Sequence, residues 1–257
     1  KQKTAYEVRL SLVGSEMLIR DRVIAMILPL LAVTTGSLNY WGNREVLDQA
    51  WASLFGQVFL FYGMFYLSMG VGLLAAAAWR MEHQGTNWNL LRTNTSNALS
   101  LILCKIVVII IPVAFMQIIL LAGTWIVGLF IVDNGTADAG QPPAMYLVAG
   151  LLAVLAAIPL VALQSLLSGL LRSFAMPVVI CFLGCVVGTI GAMAPMPIGI
   201  IGYVMPQGIV TRTLSIGSVS IGDGSGLETA GPLLLCAAVI TAIVVAVSPK
   251  FIKMHST

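Results

Sequence analysis

Long apolar runs alternate with short polar stretches along the whole of this chain. Six runs, near Val23–Asn39, Ala52–Trp79, Ala98–Val132, Ala144–Leu171, Ala175–Ala194 and Pro232–Val247, approach or exceed the roughly 20 residues a helix needs to cross a bilayer. The first and last are short and are expected to extend into their flanks. Before the first run, Tyr6, Leu10, Val13 and Met17 are spaced by 4, 3 and 4 residues and stack on one helical face, away from Lys3, Glu7, Ser11 and Ser15. Residues 1–22 therefore read as an amphipathic helix in the headgroup plane, its basic residues toward anionic lipid; a plain soluble extension is the other reading. These residues have no continuous apolar core ending in a small-residue cleavage site, so the first span is expected to act as the insertion signal.

Residues 195–231 break the pattern. Pro195, Pro197, Gly199, Gly202, Pro206 and Gly208 interrupt an apolar stretch too often for one spanning helix. Irregular backbone at membrane depth survives where protein or a water-filled cavity satisfies it. The segment is read as a re-entrant outer hairpin before the last helix, with a hydrophobic loop on the membrane surface as the alternative. The predicted fold is an all-α membrane protein forming one transmembrane domain over residues 1–257. It has six transmembrane helices, an N-terminal amphipathic interfacial helix, a cytoplasmic loop at 80–97 and the re-entrant outer segment.

Composition agrees: 59% of the 257 residues are hydrophobic and 9% are charged, where a soluble domain carries about a quarter charged. A transmembrane barrel would show strands of about ten residues alternating polar and apolar, which is not the pattern. Charge then sets orientation. With both termini inside, all of the 13 Lys and Arg residues except Arg44 and Arg212 fall on the cytoplasmic side, a positive-inside bias that orients a multi-pass membrane protein. Lys105, near the start of the third run, is expected to snorkel to the headgroup layer, and Pro112 to kink that helix.

Candidate chemistry is sparse. The two histidines are His83 and His255, and no G-x-x-x-x-G-K-[ST] phosphate loop occurs. No catalytic site, metal site or cofactor is expected on this chain. Cys181 and Cys185, four apart on one helical face, read as packing residues. Gln57, Gln117 and Gln164 are the polar side chains that could line a translocation path, or else hydrogen-bond between helices. Gly56, Gly63 and Gly70, every seven residues, and Gly184 with Gly188 are spaced for close helix approach, within the chain or against a second chain.

The polar stretch Arg80–Asn97 carries charge, Trp88 and the helix-interrupting Gly85 between two apolar runs. Asn87–Arg92 could form a short helix presenting Trp88, Leu91 and Arg92, with Thr95 or Ser96 capping the next span. Trp88 either inserts in a partner's groove or anchors at the headgroups.

With its six spans, amphipathic N-terminus and the run Trp79–Leu91, the chain resembles the permease subunits of ABC-2-type transporters, especially small bacterial permeases of lantibiotic immunity and antimicrobial-peptide export. That family shows an E-H-x-x-x-T-W-K-like stretch here before a helix beginning near a lysine; Glu82, His83, Thr86, Trp88 and Lys105 stand in comparable places, with Asn87 inserted and Asn89 where lysine is often seen. The resemblance implies two permease chains, alike or different, paired with two cytoplasmic ABC ATPase subunits that hold the ATP and Mg, no nucleic acid, and a peptide or amphipathic substrate. It makes Glu82, His83, Trp88, Leu91 and Arg92 the coupling residues and the broken outer segment part of the extracellular closure. A non-transporting assembly or sensor subunit, or an intramembrane enzyme using His83 with Ser or Cys, are the competing classes.

Overall fold

The computed structural model describes residues 5–47, 50–80, 82–83, 98–132, 144–218 and 227–254, and every regular element among them is helical. Six stretches are long and apolar enough to cross a membrane: Arg22–Asn43, Ala50–Arg80, Leu99–Ile131, Ala144–Leu170, Ala175–Met193 and Leu227–Phe251. They coincide with the six runs read from the sequence, and the short first and last runs do extend into their flanks.

Helix α1 (Ala5–Asn43) contains the first span but starts well before it. Its 39 residues give a length of about 58 Å at 1.5 Å per residue, roughly twice the hydrocarbon thickness. The N-terminal helix and the first span are thus one continuous element. The chemical reason is plain: no Gly or Pro falls between Ser15 and Leu28 to end a helix, and Pro29 is absorbed within it.

The second span is composite. Helix α2 (Ala50–Phe61) passes through one π-turn (Tyr62–Tyr66) into α3 (Leu67–Arg80). The third span is α4 (Ala98–Ile131), which continues through Pro112. The fourth is α5 (Ala144–Ala156) and α6 (Ile158–Leu170), divided at Ala157 just before Pro159, which has no N–H to give. The fifth is α7 (Ala175–Met193) and the sixth α10 (Ala230–Met254). Between them, among the described residues, the proline- and glycine-rich stretch forms short pieces: a 3-10 turn at Ile198–Ile200, α8 (Ile201–Val204), α9 (Pro206–Leu214) and a second 3-10 turn at Leu227–Thr229.

The second span is the centre of the bundle and the sixth its periphery, with 61% and 17% of their apolar windows buried. Helix α1 packs on α2 and α4, α3 on α6 and α7, and α10 on α4 and α6. Toward one end an aromatic cluster locks the second, third and fourth spans. Phe55 stacks on Tyr146 at 5.6 Å between centroids, Phe59 meets the same ring edge-on at 5.9 Å, and Trp51 lies 5.8 Å from Trp125. Such pairs add about 0.5–1.5 kcal/mol each beyond burial. The outward faces carry Ile111, Ile118, Leu151, Leu183 and Leu235, all exposed. In water this belt would be an aggregation surface; in lipid it is the solvated side.

The short pieces after α7 are packed, not draped. Helix α9 lies against α5, α7 and the π-turn, and Gln207, Ile209, Val210, Thr211 and Leu214 on it are buried. Glycines permit the approach. A Cβ on Gly191 would meet the Gly202 nitrogen at 2.6 Å, and one on Gly208 the Gly202 Cα at 2.7 Å. Backbone stands in the way at both, so only glycine fits without a shift of the chain. Gly191→Leu is expected to lower stability by about 1–3 kcal/mol, the usual cost of overpacking. Gly42→Leu, where an added Cβ has nothing within 4 Å, is expected to leave it unchanged. Unfolding of both variants in mixed micelles, followed by circular dichroism, checks the contrast.

Candidate functional site

Two helices end close together at the end of the bundle where Arg80 leaves α3. The last four carbonyls of any helix lack intrahelical partners and carry the negative end of its dipole. At the end of α3 a turn takes care of one: Glu82 N–H and His83 N–H both reach the Trp79 carbonyl, at 3.2 and 3.4 Å. The Ala78 carbonyl accepts from Lys105 Nζ on α4 at 2.7 Å. At the end of α6, His83 Nε2 lies 2.7 Å from the Ser168 carbonyl. A carbonyl can only accept, so Nε2 carries the proton of that bond.

The same turn brings Glu82 onto Lys105, and the two form an ion pair with side chains 12% and 17% exposed. The ammonium also sits 5.4 Å from the Trp79 ring centroid, and the Trp79 indole N–H donates to Ser165 Oγ on α6 at 2.9 Å. A half-buried charge is costly unless paired and hydrogen-bonded; here Lys105 has a carboxylate, a carbonyl and an aromatic face. Ala78 and Glu82 are thereby fastened to α4 through Lys105, and Trp79 and His83 to α6 through Ser165 and Ser168.

The Lys105 side chain turns toward the end of the second span, where the Glu82 carboxylate and the Ala78 carbonyl receive its ammonium. Sequence reasoning placed Glu82, His83 and Lys105 together in a motif but missed Trp79, Ser165 and Ser168 as their partners. A tryptophan one helical turn before a Glu-His pair was the available signal. Of the expected coupling residues Trp88, Leu91 and Arg92, the Asn87–Arg92 helix and the Thr95 or Ser96 cap, all lie outside the described residues.

The three glutamines sit in separate places. Gln57 Oε1 accepts from Asn39 Nδ2 at 2.5 Å, tying the first and second spans. Gln117 and Gln164 are fully buried and their amides have no hydrogen-bond partner among the described residues. A Cβ on Gly150 would come within 3.0 Å of the Gln117 amide nitrogen, so this side chain lies against the fourth span.

The marked glycines differ from one another. A Cβ on Gly63 would meet Leu214 and the Thr211 Cα at 3.2 and 3.3 Å, and one on Gly70 the Met116 methyl at 2.5 Å. At Gly56 the first contact is an ordinary 3.6 Å, to Ser218. Gly184 and Gly188 both face Gln207 on α9. These positions serve contacts inside one chain. Cys181 and Cys185 are free thiols buried on α7, and Cys181 Sγ donates to the Ser68 carbonyl at 3.1 Å.

Further polar contacts lie at the middle of the second span and beyond it toward the other end of the bundle, none singled out from sequence. A π-turn widens the helix and loosens its carbonyls. Thr211 Oγ1 donates to the Gly63 carbonyl within it at 3.0 Å, and Thr189 Oγ1 reaches that of Met64 at 3.5 Å. Arg212 donates to the Gly191 and Gly199 carbonyls at 3.0 and 3.1 Å and lies 4.5 Å over the Tyr203 ring. One guanidinium thus holds the end of α7 to the start of the broken segment.

Six apolar helices and one charged turn tied to three spans define a multi-pass membrane protein. The chain belongs to the ABC-2 family transporter proteins, whose family model matches residues 17–188, about two thirds of its length. No curated protein and no solved structure matches it. Membership makes it a transport subunit of the permease type, and implies association with an ABC ATPase and a membrane. The matched stretch includes Glu82, His83 and Lys105 and stops before Arg212.

The charged turn yields a direct test. Lys105→Met is expected to strand the Glu82 carboxylate and destabilise the fold, while Lys105→Met with Glu82→Gln recovers part of the loss. The coupling between the two positions should be about 0.5–3 kcal/mol, measured as a double-mutant cycle on unfolding midpoints in detergent.

Proposed function

We propose that this chain is the permease half of an ATP-driven exporter, with the turn at Glu82 and His83 and the loop through Trp88, Leu91 and Arg92 receiving the stroke of a separate cytoplasmic ATPase. The observation that carries the reading is the fastening of Ala78, Trp79, Glu82 and His83 to α4 and α6 through Lys105, Ser165 and Ser168. A loop held this way cannot move alone: a push on it displaces the second, third and fourth spans together. Both termini and this turn lie on the cytoplasmic side in this reading, following the distribution of Lys and Arg. A second permease chain, identical or homologous, completes the pathway, and ATP with Mg is held by the ATPases.

The substrate of this reading is an amphipathic or peptide molecule. Buried Gln117 and Gln164 supply uncharged polar groups within an apolar bundle, suited to an amphipathic or peptide molecule taken from the membrane. A lantibiotic or other bacteriocin peptide, expelled in self-immunity, fits that description.

The test is co-purification in mild detergent followed by reconstitution. An ATPase is expected to accompany the chain. Trp88→Ala and Glu82→Ala are expected to leave the complex in the membrane while hydrolysis no longer drives peptide export, with at least about a tenfold fall in transported peptide per ATP, equivalent to about 1.4 kcal/mol of lost coupling. Normal export by both variants would remove the coupling role from this loop.

A further inference from the structure

We infer that the cavity between the ends of the second, fourth and fifth spans is a binding site for the phosphate of an anionic phospholipid. The cavity encloses about 160 Å³ and is bounded by Arg80, His83, Ser168, Arg172, Ser173 and Phe174, among others. One water needs only about 10–15 Å³ by the same measure, so a phosphate group has room. Four features converge on an anion there. Arg80 and Arg172 are exposed at the rim and have no ion-pair partner among the described residues. The adjoining stretch 84–97 contains no carboxylate to neutralise them. Ser168 is 2% exposed, lines the cavity, and its hydroxyl has no hydrogen-bond partner among the described residues. Helix α7 begins at this wall, and its N-cap residue Phe174 provides no side-chain cap for the first N–H groups, which favour an anion.

The surroundings select a lipid over a soluble anion or a protein carboxylate. The remaining walls, Ala76, Leu171, Phe174 and Pro177, are apolar. From the cavity an exposed apolar stripe, Met176, Val179, Leu183, Val186 and Ile190, runs down α7, the length of the fifth span. A headgroup phosphate in the cavity leaves its acyl chains on that stripe. Basic pockets between spans on the cytoplasmic side are where anionic headgroups bind in general. The site depends on the orientation adopted above but not on the presence of an ATPase.

The test uses the full chain alone, in nanodiscs of phosphatidylcholine with graded phosphatidylglycerol, with retained lipid counted by native mass spectrometry. Phosphatidylglycerol is expected to be retained in preference to phosphatidylcholine. Arg80→Gln with Arg172→Gln should weaken its retention about thirtyfold, from about 1 kcal/mol per basic residue; Ser168→Ala should weaken it less, and Lys250→Gln not at all. Equal unfolding temperatures in pure phosphatidylcholine exclude misfolding of the double variant; should it misfold, the Ser168→Ala titration decides. Undiminished retention by the double variant, or by Ser168→Ala where that variant decides, overturns the site. Displacement by millimolar inorganic phosphate with no preference for phosphatidylglycerol would assign it to a free anion. Unchanged lipid retention by the double variant, together with loss of the ATPase from that variant in the separate co-purification of the preceding section, would assign it to protein docking. Either assignment overturns the lipid occupant. Failure of any ATPase to co-purify would sink the permease mechanism and leave the lipid titration standing.

Discussion

A bilayer offers no water to a peptide group that has lost its partner, and this single constraint organises the polar side chains of the protein. At several places where a helix ends, widens or breaks, a side chain from another element supplies a donor. Lys105 serves the Ala78 carbonyl, His83 that of Ser168, Thr211 that of Gly63, and Arg212 those of Gly191 and Gly199. Each bond joins residues distant in sequence, so each repair is also a tertiary link. Among 257 residues that are 59% hydrophobic, there is little polarity left over once these repairs are made. Gln117 and Gln164 stand out because their amides repair nothing among the described residues.

The spans were legible because membrane crossing needs only length and hydropathy, both of which are local properties. Their ends agree with the sequence reading to within a few residues, apart from the last span, whose helical flanks reach Leu227 and Phe251. The charged turn was half legible. Glu82 and His83 lie in one short motif, but Lys105 reaches them from a different span, and Ser165 and Ser168 from a third. Nothing in the local pattern of α6 separates a serine that holds an indole from any other buried serine. The π-turn was invisible for a related reason. Tyr62–Tyr66 reads as ordinary apolar helix, and its wider winding is selected by what packs against it, chiefly Gly63 against Thr211 and Leu214 on α9.

The broken segment shows the opposite balance. Its prolines and glycines announce that no long helix can form, and among the described residues the structure has short pieces there. What they did not announce is depth of packing. Gly191, Gly202 and Gly208 bring backbone against backbone, and Arg212 spans the join. Glycine here is selected by contact between two segments and not by turn geometry, which is why spacing within either segment alone was silent.

The second span carries both sets of contacts: Trp79, Glu82 and the Ala78 carbonyl at one end, and the Gly63 carbonyl bound by Thr211 near its middle. Being adjacent to both does not by itself couple them; coupling requires an element with two arrangements. A π-turn holds one extra residue in a turn of helix, so closing it to ordinary winding would rotate one half of the span against the other by about 100°, the angle one residue subtends. That rotation would carry the Gly63 carbonyl out of reach of Thr211. The hydroxyl bonds from Thr211 and Thr189 therefore oppose closure of the π-turn.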